Sequence, residues 1–132
     1  MSEHKILEMF PEHTILATYR GSVAHNLYIH PEKENGSDDI DLLGIHMPPA
    51  NTYLGLDFAD PVVIKFEGSY DLVSYEFFKM IRLLLKNNPN VMPILWLQPE
   101  HYIKTSMYSR ALIDFRDWFT SKRIFQIGRA HV

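Results

Sequence analysis

The sequence predicts one domain of the α+β class, with an α/β-like order of elements, and three observations lead to that class. Apolar residues make up 46% of the 132 residues and aromatic residues 13%, which excludes a disordered chain. A chain of this length fits a single domain. Segments with strand-like alternation come first, and segments with helical periodicity come last. We therefore expect a sheet that is covered by helices.

The first part of the chain predicts a short helix, a strand and the start of a second helix. Residues 3–10 have the spacing of a helix, and residues 13–21 (HTILATYRG) form a β-favouring run that Arg20 and Gly21 interrupt. Ser22 is a suitable N-cap for a helix that begins in the SVAHNLY segment. A polar, turn-rich loop with the sequence HPEKENGS follows.

Three further strands are predicted in the middle of the chain. Residues 39–47 (DIDLLGIHM) read as a strand that Pro48 and Pro49 end. Residues 61–68 and 70–76 read as two strands joined by a Gly-Ser turn.

The C-terminal half predicts helices. Polar residues recur at spacings of three and four in residues 74–89, and an Asn-Asn-Pro sequence ends that helix. Residues 90–97 predict a short second helix, and residues 106–119 predict a third. Four aromatic residues of this half have helical spacing, and we therefore expect them to lie in the core. They are Trp96, Phe115, Trp118 and Phe119.

The composition excludes several kinds of site. The chain contains no cysteine, so a disulfide framework, a thiolate zinc site and a cysteine nucleophile are excluded. The N-terminus has no basic segment followed by a continuous apolar run, and no later run approaches the roughly 20 apolar residues of a membrane-spanning helix. We expect a soluble cytoplasmic protein with no membrane partner.

The net charge of −3 is small, but acidic residues concentrate before Phe78 and basic residues after it. An acidic part that binds a metal and a basic part that binds phosphate would produce this distribution. Ordinary solvated surfaces would produce it as well.

Three aspartates crowd into the stretch GSDDIDLLG. If this stretch enters a strand, the period of two places Asp39 and Asp41 on one face, while Ile40 and Leu42 turn into the core. Two carboxylates side by side repel each other unless one takes up a proton or a cation lies between them. Mg²⁺ prefers such oxygen ligands and combines them with substrate phosphates. Asp38 has the opposite parity, and we expect it to be a turn or cap residue.

A second Gly-Ser pair, Gly21 and Ser22, ends the first predicted strand. Free backbone N–H groups and a hydroxyl at such a turn can hold phosphate oxygens, and Gly21 permits close approach of the backbone. Alone this is a weak signal, because Gly-Ser before a helix is more often a simple N-cap. Together with a D-x-D strand about seventeen residues later, the pair is considerably more specific.

The segments RGSVAHN, GSDDIDLLGIHMPP and YDLVSYEFFKMIRLLLKNNPNVMPILW resemble the nucleotidyltransferases of the DNA polymerase β superfamily, whose signature is a Gly-Ser turn followed by D-x-D. The resemblance covers roughly residues 14–96. It implies a mixed β-sheet flanked by helices, with a helical C-terminal part. It also implies two Mg²⁺ ions and transfer of a nucleoside monophosphate from an NTP to an acceptor, with release of pyrophosphate. The acceptor class stays open between protein, RNA and a small molecule, and no DNA partner is expected.

The resemblance also implies roles for individual residues. Gly21 and Ser22 would hold the β and γ phosphates, Asp39 and Asp41 would bind metal, and Asp71 would be the third carboxylate that binds metal and activates the acceptor hydroxyl. Strand parity allows Asp71 to line the same cleft as the other two aspartates.

Other assignments remain open. Glu67 and Glu76 are rivals of Asp71, although Glu76 lies at a predicted helix start, where the helix dipole favours a carboxylate for structural reasons. Arg20 either contacts the triphosphate or is an ordinary surface arginine. His25 either meets a phosphate or base, or faces partly inward from its helix.

A second function stays open beside the enzyme, namely a nucleotide-binding or antitoxin-like regulatory module that keeps the fold without catalysis. The paired aspartates favour the enzyme, because a binding role does not require them. A metal-dependent phosphohydrolase is disfavoured, since no clustered histidines accompany the aspartates.

The C-terminal sequence IGRAHV resembles the conceptual translation of a common sequencing-library adapter. We expect one nucleotidyltransferase-like domain over residues 1–126, a natural protein that continues beyond Gln126, and an artefact at residues 127–132.

Overall fold

The computed structural model describes residues 2–20 and 40–120 of the chain. These residues form five strands, five α-helices and two short 3₁₀ helices. In chain order they are α1 (Glu3–Met9), β1 (Thr14–Arg20), β2 (Ile40–His46), α2 (Ala50–Tyr53), β3 (Val62–Glu67), β4 (Tyr70–Glu76), α3 (Phe77–Leu85), the 3₁₀ helices Met92–Trp96 and Pro99–His101, β5 (Tyr102–Lys104), α4 (Met107–Asp114) and α5 (Arg116–Phe119).

The strands form one mixed sheet in the order β3-β4-β2-β1-β5. β2 and β4 are parallel, and the other neighbouring pairs are antiparallel. Because β2 and β4 are parallel, the chain must cross over between them, and it does so through α2 and β3. The predicted α+β class and the mixed sheet with a helical C-terminal part are therefore confirmed.

A small core lies on one face of the sheet, under α1. Ser2 is the N-cap of this helix, and its side chain accepts a hydrogen bond from the backbone N–H of Lys5 (3.4 Å). The apolar side of α1 then packs on the central strands. The small core consists of Ile6, Met9, Phe10, Ala17, Leu42 and Leu72.

A larger core lies on the other face, under α3, α4, α5 and the first 3₁₀ helix. The side chain of Glu76 caps the start of α3 by accepting hydrogen bonds from the backbone N–H groups of Phe78 (2.9 Å) and Lys79 (3.0 Å). The larger core consists of Ile15, Leu16, Leu43, Ile45, Met80, Leu84, Val91, Ile94, Leu95, Leu112 and Phe119.

Strand β2 is buried on both faces. Leu42 belongs to the small core, and Ile40 packs against it, as their parity predicted. Leu43 and Ile45 belong to the larger core, although they share a face with Asp41. A central strand covered by helices on both faces is apolar along both faces, so parity alone does not mark a solvent-facing side here. Asp41 lies at the end of the face of β2 whose other side chains, Leu43 and Ile45, belong to the larger core.

Several sequence-based expectations were incomplete or wrong. Neither α2 nor β5 was predicted. The expected helix over residues 106–119 is two helices, because the backbone at Phe115 departs from helical geometry (φ −98°, ψ 16°). That break interrupts the expected common face of the aromatic residues in 106–119, whereas Trp96 lies in the separate 3₁₀ helix Met92–Trp96. Phe119 is buried, but three expected core residues are exposed, namely Trp96 (41%), Phe115 (67%) and Trp118 (46%).

Other expectations fall outside the described residues. These are the helix that begins at Ser22, the HPEKENGS loop, the placement of His25 and the domain boundary at Gln126 with the residues after it. Within residues 2–20 and 40–120, no helix has both the length and the apolar character needed to cross a bilayer.

Gly44 of β2 lies against the ring of Phe10, the residue that follows α1. A Cβ atom there would lie 2.8 Å from both Cδ2 and Cε2 of Phe10, and 3.1 Å from the carbonyl oxygen of Leu16. We expect Gly44→Ala to lower the free energy of unfolding by about 1–3 kcal/mol, as overpacking of a core does. Urea denaturation measures this. The loss should be smaller in a Phe10→Ala background, and an equal loss in both backgrounds would show that the Phe10 ring is not the obstacle.

His46 should make stability depend on pH. Its Nδ1 lies 2.8 Å from the Ser74 hydroxyl, and burial lowers its pKa below 6.5, although the Asp60 carbonyl and Glu76 act in the opposite direction. The unfolded chain therefore binds a proton at this histidine at higher pH than the folded chain does. The contribution of neutral His46 to the free energy of unfolding is complete above the unfolded pKa of about 6.5. It is lost as the pH falls through the folded pKa.

We expect the free energy of unfolding to decrease between about pH 7.5 and pH 5, and the decrease to be shallower in His46→Asn. Denaturant titrations across this range measure the slope. His4→Asn is the control, because the His4 side chain is 82% exposed and its surface ion pair with Glu8 (3.1 Å) contributes little to stability. Equal slopes for the two variants would contradict the assignment to His46.

Candidate active site

Four residues form a line across the sheet at one end of the strands. Strand register pairs Phe66 of β3 with Asp71 of β4, Asp71 with Asp41 of β2, and Asp41 with Arg20 of β1. Directly paired residues lie on the same face of a sheet. We call Phe66, Asp71, Asp41 and Arg20 the cross-strand row.

The two carboxylates of the row come from neighbouring parallel strands. β2 and β4 pair without a register shift from Ile40↔Tyr70 to His46↔Glu76. Neighbouring strands lie about 4.8 Å apart, so Asp41 and Asp71 stand side by side on one face. The structure thus brings together two of the residues that the sequence marked as candidate metal ligands.

Glu67 does not share this position. In register it pairs with Tyr70, one residue before Asp71, and therefore lies on the opposite face of the sheet. Tyr70 packs against the small core, which identifies that face as the α1 side.

Glu76 lies at the far end of β4, where it pairs in register with His46. Besides capping α3, its carboxylate accepts a hydrogen bond from the Tyr53 hydroxyl. Burial alone would raise the pKa of Glu76, but this hydrogen bond and those from the backbone N–H groups of Phe78 and Lys79 hold it below its ordinary value. The predicted position of Glu76 at a helix start is confirmed, and its carboxylate caps that helix through hydrogen bonds.

An open cleft of about 500 Å³ lies against the row, within the size range of small-molecule sites. Strands β1, β2 and β4 form its floor, and the segment after α3 forms its wall. Asp71 stands beside the cleft in the row but is not among the lining residues. Those are Thr18, Tyr19, Arg20, Asp41, Leu43, Val73, Tyr75, Pro89, Asn90, Pro93, Ile94 and Leu97.

Two side chains from later in the chain hold the wall in place. The Tyr102 hydroxyl donates a hydrogen bond to the carbonyl of Ile94 (2.6 Å) and accepts one from the backbone N–H of Leu97 (3.4 Å). Burial raises the pKa of Tyr102, so the hydroxyl keeps the proton that it donates. Arg116 Nη1 donates to the carbonyl of Leu95 (3.0 Å). Sequence reasoning missed both residues, because neither belongs to a motif.

Gly21, Ser22 and Asp39 lie outside the described residues, as does Asp38. Arg20 and Ile40, the described residues on either side of that gap, both lie at the row's end of the sheet. The roles of these four residues therefore stay predictions from the sequence.

The described residues fit part of the predicted magnesium site. Asp41 and Asp71 supply hard oxygen ligands from adjacent strands, and Mg²⁺ typically uses one or two carboxylates together with substrate phosphates. Among the described residues there is no group of three or more potential ligands of the His, Cys, Asp or Glu type. Asp39, the remaining predicted ligand, lies outside them, and the two-ion site stays a prediction.

The chain matches a protein-family model. Residues 3–126 match the model of a family described as the RNA repair pathway DNA polymerase beta family (RlaP). No curated protein matches the chain, and no solved structure does. The matched region includes all four residues of the cross-strand row. The chain therefore belongs to the RNA repair pathway DNA polymerase beta family, a family of DNA polymerase β-like nucleotidyltransferases.

Proposed function

We propose that this protein is a metal-dependent nucleotidyltransferase, which transfers a nucleoside monophosphate from an NTP to an acceptor hydroxyl and releases pyrophosphate. The observation that carries the proposal is the pairing of Asp41 with Asp71 in register, at the edge of an open cleft. Two adjacent carboxylates supply the hard oxygen ligands that Mg²⁺ combines with substrate phosphates, which argues for a cation site. Membership of a nucleotidyltransferase-like family supports the same class.

In this proposal the negatively charged triphosphate lies on the Arg20 side of the row, and the metal ion lies beside the carboxylates. Arg20 follows Asp41 on the β1 side, and a guanidinium there attracts the triphosphate. Gly21 and Ser22 come next in the chain and would add backbone N–H groups and a hydroxyl for the β and γ phosphates. Asp39 and Asp41, with Asp71, would hold the metal. Bound Mg²⁺ would neutralise charge on the phosphates and orient the reacting oxygen atoms.

Asp71 is the proposed general base. Its carboxylate takes the proton of the acceptor hydroxyl, and the hydroxyl oxygen forms a bond to the α-phosphorus. The bond between the α-phosphorus and the oxygen that bridges to the β-phosphate breaks, and its electron pair leaves with pyrophosphate. Such a transfer depends mainly on positioning and charge neutralisation. The row of paired side chains would supply the positioning, and Arg20 with bound Mg²⁺ would supply the neutralisation.

RNA is the acceptor class that we favour among protein, RNA and small molecules, because the family description refers to RNA repair. We place the reaction in the cytoplasm, and neither DNA nor a membrane is a proposed partner. A regulatory module that binds nucleotide without transferring it is the alternative outcome of the experiments below.

Metal should control nucleotide binding. We expect NTP with Mg²⁺ to raise the melting temperature, by an amount equivalent to about 2.7 kcal/mol at a ligand concentration of 100 Kd. NTP with EDTA should raise it much less, because the carboxylates of Asp41 and Asp71 then repel the triphosphate. Thermal-shift assays with each NTP measure the difference. Equal shifts with and without Mg²⁺ would remove the case for a metal-bridged triphosphate site.

Substitutions should separate chemistry from folding. Removing even an outer partner of a metal ligand costs about 10–100-fold, so Asp41→Asn and Asp71→Asn should each reduce transfer by more than about 100-fold. Asp41→Asn should leave the fold intact or stabilise it by up to about 1 kcal/mol, since it relieves a like-charge pair. Transfer of labelled NMP to an RNA oligonucleotide and the melting temperature are measured together.

Two variants serve as controls for that experiment. Asp114→Asn changes an exposed aspartate at the end of α4, and Asp38→Asn changes the aspartate of opposite parity in the same motif. Both should keep most of the activity. Full activity of Asp41→Asn, or nucleotide binding without transfer by the unsubstituted protein on every acceptor class, would favour the regulatory module.

A further inference from the structure

The sheet edge next to Asp71 carries apolar side chains that the core does not use. β3 is an edge strand, and its register places Phe66 beside Asp71 and Ile64 beside Val73. Phe66 is 73% exposed and Ile64 is 58% exposed, whereas Val73 packs against the larger core. The row face of the sheet therefore continues past the core as an exposed apolar surface, formed by Phe66 and Ile64.

The pattern of β3 shows that this surface belongs to one face. Phe66 and Ile64 lie on the face of the row, and Lys65 and Glu67 alternate with them on the other face. A single exposed apolar residue on a strand needs no special explanation, because aromatic and β-branched residues favour strands. Here two such residues adjoin each other on the face that carries the two carboxylates.

The order of residues in the row indicates the side from which the acceptor approaches. Arg20 occupies one end of the row and Phe66 the other, with both carboxylates between them. In a nucleotidyl transfer the attacking and leaving oxygens lie roughly in line through the phosphorus. If the triphosphate leaves toward Arg20, the acceptor must approach from the side of Phe66. The acceptor then meets an aromatic ring and an aliphatic side chain before it meets Asp71.

We propose that Phe66, flanked by Ile64, is the stacking platform for the terminal nucleobase of an RNA acceptor. A base on the Phe66 ring would place its attached ribose, and the hydroxyl on that ribose, next to Asp71 on the neighbouring strand. Phenylalanine offers no hydrogen bond, so this platform accepts any base with little sequence preference. The inference rests on the proposed nucleotidyl transfer and deepens it, since it selects an acceptor that ends in a planar aromatic group.

The test compares two exposed phenylalanines by binding rather than by turnover. The variants are Phe66→Ala, Phe66→Trp and the matched control Phe58→Ala, which changes a phenylalanine that is 79% exposed before β3. The probe is a short single-stranded RNA with a fluorescent label at its 5′ end, and anisotropy gives Kd. We expect Phe66→Ala to raise Kd by about 5- to 150-fold, the factor that corresponds to about 1–3 kcal/mol of stacking per base.

Phe66→Trp should restore binding, and Phe58→Ala should bind as the unsubstituted protein does. An RNA whose 3′-terminal residue lacks its base should bind the unsubstituted protein and Phe66→Ala equally, because the partner of the ring is then absent. Thermal shifts with NTP and Mg²⁺ should be the same for all variants, which shows that the nucleotide site is intact.

These measurements keep the two proposals apart. If Asp41→Asn abolishes transfer while Phe66→Ala binds and extends RNA normally, the platform is wrong and the nucleotidyltransferase stands. If RNA binding depends on Phe66 and on the terminal base but no transfer occurs, the platform stands and the proposed reaction is wrong. Absence of RNA binding by the unsubstituted protein overturns the platform.

Discussion

The parallel pairing of β2 with β4 is the constraint on which the candidate site depends. It places Asp41 beside Asp71 through a continuous register of seven residue pairs. A slip of one residue would exchange the two faces of one strand and separate the carboxylates. Such a slip is opposed at the centre of the sheet, because Leu42 and Leu43 are both buried and belong to different cores. Packing on both faces thus fixes the position of two polar side chains that take no part in it.

The same packing compensates for the charge arrangement. A like-charge pair across two strands is unfavourable by roughly 0.2–1 kcal/mol, whereas full burial of one leucine stabilises by about 1.5–3 kcal/mol. Leu42, Leu43 and Leu72 are each no more than 1% exposed. Their burial outweighs the repulsion several times over, so the fold tolerates an acidic pair at the edge of its central strands. A charge arrangement that lowers the stability of the fold locally is expected at a functional site.

The sequence predicted the elements well where periodicity is strong and poorly where tertiary contacts decide. The strands before α3 and the helix α3 were predicted, because β-favouring runs and helical spacing extend over six or more residues. β5 has only three residues, which is too short for alternation to show. The order of strands could not be predicted either, since it depends on contacts between distant segments. The break at Phe115 has no proline or glycine to signal it, and for that reason Phe115 and Trp118 were assigned to the core. Trp96 lies in the separate 3₁₀ helix Met92–Trp96, where this break plays no part.

The candidate site was predictable to a similar extent. Strand parity pointed to Asp41, and the family resemblance added Asp71, which parity allowed. Their common register and the position of Phe66 beside them depend on strand pairing across the sheet. Nothing in the sequence around Tyr102 or Arg116 indicated that these residues hold a wall of the cleft. Each side chain donates a hydrogen bond to a backbone carbonyl group. Every residue has such a group, so the sequence does not show which residue accepts the bond.

The fixed wall of the cleft has a consequence for the entropy of binding. Val91, Ile94 and Leu95 are buried in the larger core, while Tyr102 and Arg116 tie down the backbone of the same segment. The wall is therefore ordered before any ligand arrives. A ligand that enters loses its own translational and rotational freedom, but it does not have to order a loop, which would cost about 0.5–1.5 kcal/mol for each immobilised side chain. The affinity of a ligand for this cleft is therefore set by its contacts with the cleft. Weak and tight ligands alike avoid the cost of ordering the wall.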